Sequence, residues 1–169
     1  LQPQQQDCLI AVTASGSTPY PLAALQTARS SGACTIGITN NPDTPVLQQA
    51  HIGICLQTPP EVVAGSTRMG AGTAQKIALN MLSTMTAMHL GHVHDGYMVN
   101  VVADNIKLRG RARAIVRALT GVEDHVAASA LEASGGAVKV AILIAAGAAP
   151  DEAEGLLGQH DGHLRPGLA

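Results

Sequence analysis

The sequence predicts an α/β fold: a three-layer αβα sandwich around a parallel sheet, followed by a small C-terminal helical bundle. Three short apolar runs, at residues 8–13, 34–39 and 52–56, lack polar alternation, as strands covered on both faces of a parallel sheet do. Helix and turn signals separate these runs, and the order β-loop-α-β-loop-β is half of an open α/β sheet. Beyond residue 120 the composition shifts to short Ala-rich segments broken by Gly135-Gly136 and Ala149-Pro150. The expected division is therefore 1–119 for the sheet domain and 120–169 for the helical subdomain.

Each element has its own signal. CLIAVT at 8–13 is the first strand, broken by Gly16-Ser17-Thr18-Pro19. Pro19 suits the first turn of a helix with Thr18 as its N-cap, and the Ala/Leu-rich stretch continues to Ser31 before Gly32 ends it. CTIGIT at 34–39 is the second strand, and Asn40-Asn41-Pro42-Asp43 is turn chemistry. A brief Gln-rich segment precedes the third strand at 52–56. From 70 to 90 the apolar positions Ile77, Leu79, Met81, Leu82, Met85 and Met88 recur at three- and four-residue spacings, which predicts a long, mostly buried helix ended by Gly91. A second amphipathic helix is expected over 103–119, and three short ones over 121–134, 137–148 and 151–159.

Composition excludes several functions. Of 169 residues 46% are hydrophobic, yet Phe and Trp are absent and Tyr occurs twice, so the core is aliphatic. Aromatic platforms for single-stranded nucleic acid are lacking. With 10 Lys+Arg against 12 Asp+Glu the net charge is -2, which gives no pull toward nucleic acid or an anionic membrane. No apolar run nears the roughly 20 residues of a membrane span. Cys8, Cys34 and Cys55 show no CxxC spacing and sit in apolar runs, where they are expected to act as small hydrophobes in a reducing cytoplasm. The amino end, LQPQQQ, has neither a start Met nor the regions of a signal peptide. It reads as a chain entered in the middle.

Two segments invite chemistry. TASGST at 13–18 lies between a strand and a helix start, at the carboxyl edge where open α/β sheets bind ligands. There the dipole and free N–H groups of the helix, with the hydroxyls of Ser15, Ser17 and Thr18 around Gly16, suit a phosphate. Simple helix capping is the competing reading. EVVAGSTRMGAGTAQK at 61–76 combines Glu61, Ser66, Thr67, Arg68 and Lys76. It fits neither GxxxxGK[ST] nor GxGxxG, so a nucleotide loop is rejected, and a loop with Ser66 or Thr67 as a cap remains the plain alternative. Glu61 is the one carboxylate expected at the carboxyl edge of the sheet. His89, His92, His94 and Asp95 do not follow Zn-ligand spacing, and a His at a helix end complements the dipole. The row Lys107, Arg109, Arg111, Arg113 and Arg117 reads as a solvated helix face.

With both loops in view, the sequence resembles the sugar isomerase (SIS) fold family, and within it the bacterial N-acetylmuramic acid 6-phosphate etherases. ASGSTPY at 14–20 is similar to the family's ASGRTPY, and residues 60–84 follow PEVxxGSTRMKAGTAQKxxLNMxST almost residue for residue. GYMVNVVADNIKL at 96–108 looks like NLMVDVxATNxKL. The glucokinase regulatory proteins share parts of these motifs. The resemblance implies a lyase that cleaves the D-lactyl ether of N-acetylmuramic acid 6-phosphate to N-acetylglucosamine 6-phosphate and D-lactate. It implies a cytoplasmic homodimer with no metal or cofactor and no nucleic-acid or membrane partner. Ser15, Gly16, Ser17, Thr18, Glu61, Ser66, Thr67 and Arg68 are the substrate-binding residues it implies. The family's two catalytic glutamates and its GTSGR-type loop match no segment here, so the catalytic residues are unknown. Two positions depart from the family, with Ser17 in place of its Arg and Gly70 in place of its Lys. The alternative function is a non-catalytic sugar-phosphate-binding or regulatory module.

Overall fold

Three strands, β1 (Cys8–Val12), β2 (Cys34–Thr39) and β3 (Ile52–Cys55), pair side by side in the order β1-β2-β3. Both pairings are parallel, which agrees with the predicted α/β class. The computed structural model describes residues 2–168, and the chain forms two compact units, Leu1–Leu82 and Ser83–Ala169. In the first unit α1 (Pro19–Ser30) connects β1 to β2, and α2 (Pro45–Gln49) connects β2 to β3. Helix α2 is absent from the elements expected from sequence, although Thr44-Pro45 carries the signal of Pro in a first helical turn.

Strand alternation gives the sheet two unlike faces. Leu9 and Ala11 of β1 pack with Leu22 and Leu25 of α1 and with Val46 and Ala50 of α2. Gly37 and Gly53 are register partners on that face, where the absent side chains let α2 approach. A Cβ at Gly37 would stand 2.8 Å from Val46 Cγ1 and 2.9 Å from Val46 O, and one at Gly53 would stand 3.1 Å from Leu47 O. On the opposite face Cys8 pairs with Cys34, and Ile10, Ile36 and Ile52 form one row across the three strands. Ile10 and Ile52 are exposed, whereas Ile38 on the central strand is buried.

Two expectations need correction here. The cysteines are expected to be small core hydrophobes, but all three are exposed. Cys8 and Cys34 lie on the face that α1 and α2 do not cover, and Cys55 ends the edge strand β3. The long helix α3 (Gly70–His89) forms as predicted, but only Ala71 of it is buried. Ile77, Leu79, Met81, Met85 and Met88 are all exposed, because apolar spacing records which face seeks cover without supplying it.

The second unit carries the short hairpin β4 (Val93–His94) and β5 (Tyr97–Met98), then α4 (Ile106–Thr120), α5 (Asp124–Ala133), α6 (Val138–Ala145) and α7 (Pro150–Gln159). Helix α4 starts three residues later than expected, where Asn105 Oδ1 accepts from Leu108 N at 2.9 Å as an N-cap. Ala103, expected inside that helix, instead donates its N–H to Gly136 O and lies in the core. Val116, Val138, Ile142 and Leu143 centre that core. Lys139 Nζ donates to Gly162 O at 2.8 Å, and burial holds this ammonium below the usual lysine range.

The tight approach of α2 to β2 makes Gly37 a size-sensitive point of the first unit. Gly37→Val forces side-chain or backbone shifts of the kind that cost about 1–3 kcal/mol, and the urea-unfolding midpoint falls accordingly. An unchanged midpoint would show that α2 moves freely on the sheet.

Candidate functional site

The loop after β1 turns sharply at Gly16, whose φ is +70°. A Cβ there would overlap the Thr44 side chain, so glycine is required both by the turn and by the approach of the next loop. Gly16 O accepts from Val46 N at 3.2 Å, and Ala14 O accepts from Asn40 N at 3.1 Å. The first loop is thereby fixed against the loop that succeeds β2.

The hydroxyls of the first loop converge on one another. Thr13 Oγ1 lies 2.9 Å from Thr18 Oγ1, Ser15 Oγ lies 3.1 Å from Thr18 Oγ1, and Ser17 N–H donates to Ser15 Oγ at 3.3 Å. Thr18 holds the N-cap position of α1, but its side chain makes no capping hydrogen bond. The capping explanation therefore does not account for Thr18. Ser15, Ser17 and Thr18 differ from Thr13, which is buried; Ser17 and Thr18 are exposed, so the cluster is anchored from below and open above. Pro19 and Pro21 remove two donors from the first turn, and Leu22 N is already bonded to Thr18 O. The helix offers an anion fewer amides than the strand-to-helix pattern suggests, and the burden falls on loop hydroxyls and loop amides.

Glu61 has a defined task. Its Oε1 accepts from Gly70 N at 2.9 Å and from Ala71 N at 3.3 Å, so the carboxylate caps α3 and meets the positive end of its dipole. Ser66 Oγ is in long contact with Arg68 N, at 3.5 Å, and Thr67 O accepts from Gly72 N at 2.8 Å. Arg68 and Thr67 are exposed, and Ser66 is half-buried. Glu61 is not the only acid at this edge of the sheet, contrary to expectation. Asp43 lies in the loop that leaves β2, exposed and with a φ of +56°.

One further residue, Asn40, holds this edge together and is absent from the residues nominated by sequence. It is buried, its Nδ2 donates to Leu56 O at 2.9 Å, and its Oδ1 accepts from Gln75 Nε2 at 2.7 Å. Together with its N–H bond to Ala14 O, these contacts join the ends of β1, β2 and β3 to α3. Its place directly after a buried strand is the available signal, which the turn chemistry of its neighbours masks. Thr44 Oγ1 beside Gly16 is buried with no hydrogen-bond partner among the described residues.

Elsewhere, a groove of about 610 Å³ in the second unit is lined by Ile106, Arg109, Arg113, Leu131, Glu132 and Gly136, among others. It holds none of the expected site residues. His94 and Asp95 approach each other at 3.7 Å, and Asp95 pairs with Arg165 at 2.5 Å. Among the described residues no three His, Cys, Asp or Glu side chains come together as a metal site. No helix of these residues is long and apolar enough to cross a membrane.

Comparison with known proteins bears on the same segment. Residues 3–85 match the family model of the SIS domain. The chain is 46% identical over 160 residues to an N-acetylmuramic acid 6-phosphate etherase of Deinococcus radiodurans, covering 94% of this chain and 52% of that protein. The etherase of Streptomyces avermitilis is 47% identical over 164 residues, covering 96% and 53%. That of Symbiobacterium thermophilum is 49% identical over 137 residues, covering 81% and 46%. The chain thus spans about half the length of the curated relatives it matches. A solved structure of a candidate phosphosugar isomerase from Salmonella typhimurium LT2 aligns at 23% identity with a TM-score of 0.36, over 78% of this chain and 36% of that one.

The cap by Glu61 and the space at Gly70 can be tested together. A Cβ at Gly70 would meet Glu61 Oε1 and Thr58 Cβ at 3.7 Å each, an ordinary contact. Gly70→Lys therefore folds with unchanged or higher stability, whereas Glu61→Ala leaves the α3 amides unpaired and costs about 1 kcal/mol. Urea denaturation of both variants measures the contrast.

Proposed function

We propose, from the membership of residues 3–85 in the SIS-domain family, that this chain supplies the sugar-phosphate-binding part of an N-acetylmuramic acid 6-phosphate etherase. The reaction is the cleavage of the D-lactyl ether, giving N-acetylglucosamine 6-phosphate and D-lactate. The observation that carries the reading is the convergent hydroxyl cluster of Thr13, Ser15, Ser17 and Thr18 at the carboxyl edge of a parallel sheet. In this assignment the residues around the phosphate are Ser15, Gly16, Ser17 and Thr18. Glu61, Ser66, Thr67 and Arg68 stand on the side of the sugar ring. A base takes the proton at C2 of the open-chain sugar, lactate leaves from C3, and water adds back. We assign the reaction no metal or organic cofactor, and the protein to the cytoplasm.

A second reading, binding of a sugar phosphate without catalysis, is favoured by one observation. The Glu61 carboxylate is committed to the amides of Gly70 and Ala71, and a base must instead reach the substrate proton. One incubation of the 169-residue chain tests whether Glu61 acts as a base. N-acetylmuramic acid 6-phosphate is supplied and D-lactate is followed enzymatically, with none expected. Lactate release that Glu61→Gln abolishes would make Glu61 the base and overturn the assignment of that residue.

Binding is the direct test of the cluster. Ser15→Ala removes one hydrogen bond to a charged group, about 1.5–3 kcal/mol, and weakens the affinity for N-acetylglucosamine 6-phosphate roughly tenfold to a hundredfold in calorimetry. Unchanged affinity would move the phosphate elsewhere.

We also propose a homodimer, with exposed Met85 and Met88 of α3 at its interface. A row of large apolar side chains in water is a common mark of a subunit contact. Met85→Glu should sediment as a monomer where the unaltered chain is a dimer. Identical sedimentation of the two would remove this helix from the interface.

A further inference from the structure

Cys8 and Cys34 are direct register partners on adjacent parallel strands, and both are exposed. Side chains of paired positions point to the same side of a sheet. The two thiols therefore stand next to each other on the face that α1 and α2 leave uncovered. Neighbouring strands lie about 4.8 Å apart, inside the window of about 4.4–6.8 Å that Cα atoms occupy across a disulfide. Cys55 is excluded from the pair by alternation. It is the register partner of Thr39, so it falls on the other face of the sheet.

We propose that Cys8 and Cys34 form a dithiol site that closes to an intramolecular disulfide by exchange with low-molecular-weight disulfides, covalently tying β1 to β2. The Cys34 thiolate attacks one sulfur of the small disulfide, forming a mixed disulfide and expelling one small thiolate. Cys8 then loses its proton and attacks the Cys34 sulfur. The second small thiolate leaves, and the Cys8–Cys34 bond forms. The protein gives up two electrons and two protons, and the small disulfide takes both to become two thiols. Desolvation first, then the hydrogen bond and charge of Cys34, hold the Cys8 thiol above its ordinary range. This favours Cys8 as the second thiol to react, since it is the thiolate that attacks.

Oxidised glutathione is the probe, applied to the folded 169-residue chain at neutral pH. The three free thiols should fall until only Cys55 still titrates. Peptide mapping should recover Cys8 linked to Cys34 in a monomer, with dithiothreitol restoring every thiol. Cys55→Ser should leave the closure intact. Cys8→Ser should halt at a glutathione adduct on Cys34, which a merely structural cysteine pair would not accumulate. Three thiols persisting in the unaltered chain, stable glutathione adducts on Cys8 and Cys34 of the same molecule, or a cross-link through Cys55 or between chains would each overturn the proposal. Because the mapping of the unaltered chain decides by itself, poor folding of either variant does not protect the idea.

Discussion

Parallel pairing of β1 with β2 and of β2 with β3, in an unbroken spatial order, is the constraint that shapes the first unit. Crossovers of one hand that always step in one direction return on the same side of the sheet, and α1 and α2 do pack together on the Leu9 and Ala11 face. That choice determines what α2 can touch and where glycine must stand. It also leaves the other face, with its cysteine pair and isoleucine row, without either connecting helix. Parallel order further brings the ends of all three strands to a single edge, which is where the loops that carry the hydroxyls and Glu61 must emerge.

A carboxyl edge is only an address until something holds its loops in register. Asn40 does so through its backbone N–H, its Nδ2 and its Oδ1, which bond to Ala14, Leu56 and Gln75 in turn. Each partner belongs to a different segment, so one buried residue couples the first loop through its backbone N–H, and the exit of β3 and the helix α3 through its amide side chain. A buried polar group left unpaired costs about 1–3 kcal/mol, which means these bonds are mutually enforced: moving any one segment strands a polar atom in the others. Gly16 contributes by sterics instead, allowing the loop to close upon Thr44.

Much of this is legible from local pattern. The three strands, the start of α1 at Pro19 and the end of α3 before Gly91 are each written in apolar runs and breakers, and the two loops stand out by residue type and by their place after strands. What the sequence does not reveal is nonlocal. The role of Asn40 depends on partners 16 and 35 residues away, and no periodicity announces that. The exposure of α3 and of the cysteines escapes the pattern for a related reason: apolar spacing says that a face prefers cover, while whether cover exists depends on the rest of the fold. Helix α2 is five residues long, too short to show a helical period, and only Thr44-Pro45 announces it.

The chemical character of the edge is set by which polar groups are spent and which are free. Glu61, the carboxylate expected at the carboxyl edge of the sheet, spends its side chain on the first amides of α3. It thereby stabilises the helix that begins beside the candidate site and sets its charge against the positive end of that helix's dipole. The groups left near the opening of the first loop are the neutral hydroxyls of Ser15, Ser17 and Thr18. Hydroxyls can donate to phosphate oxygens and accept from one another in its absence, so the cluster satisfies itself when empty and reorients without desolvating a charge when filled. That property suits reversible capture of a phosphorylated sugar better than proton abstraction, which requires a group whose ionisation is held in readiness. In the proposed reading, this edge therefore serves recognition.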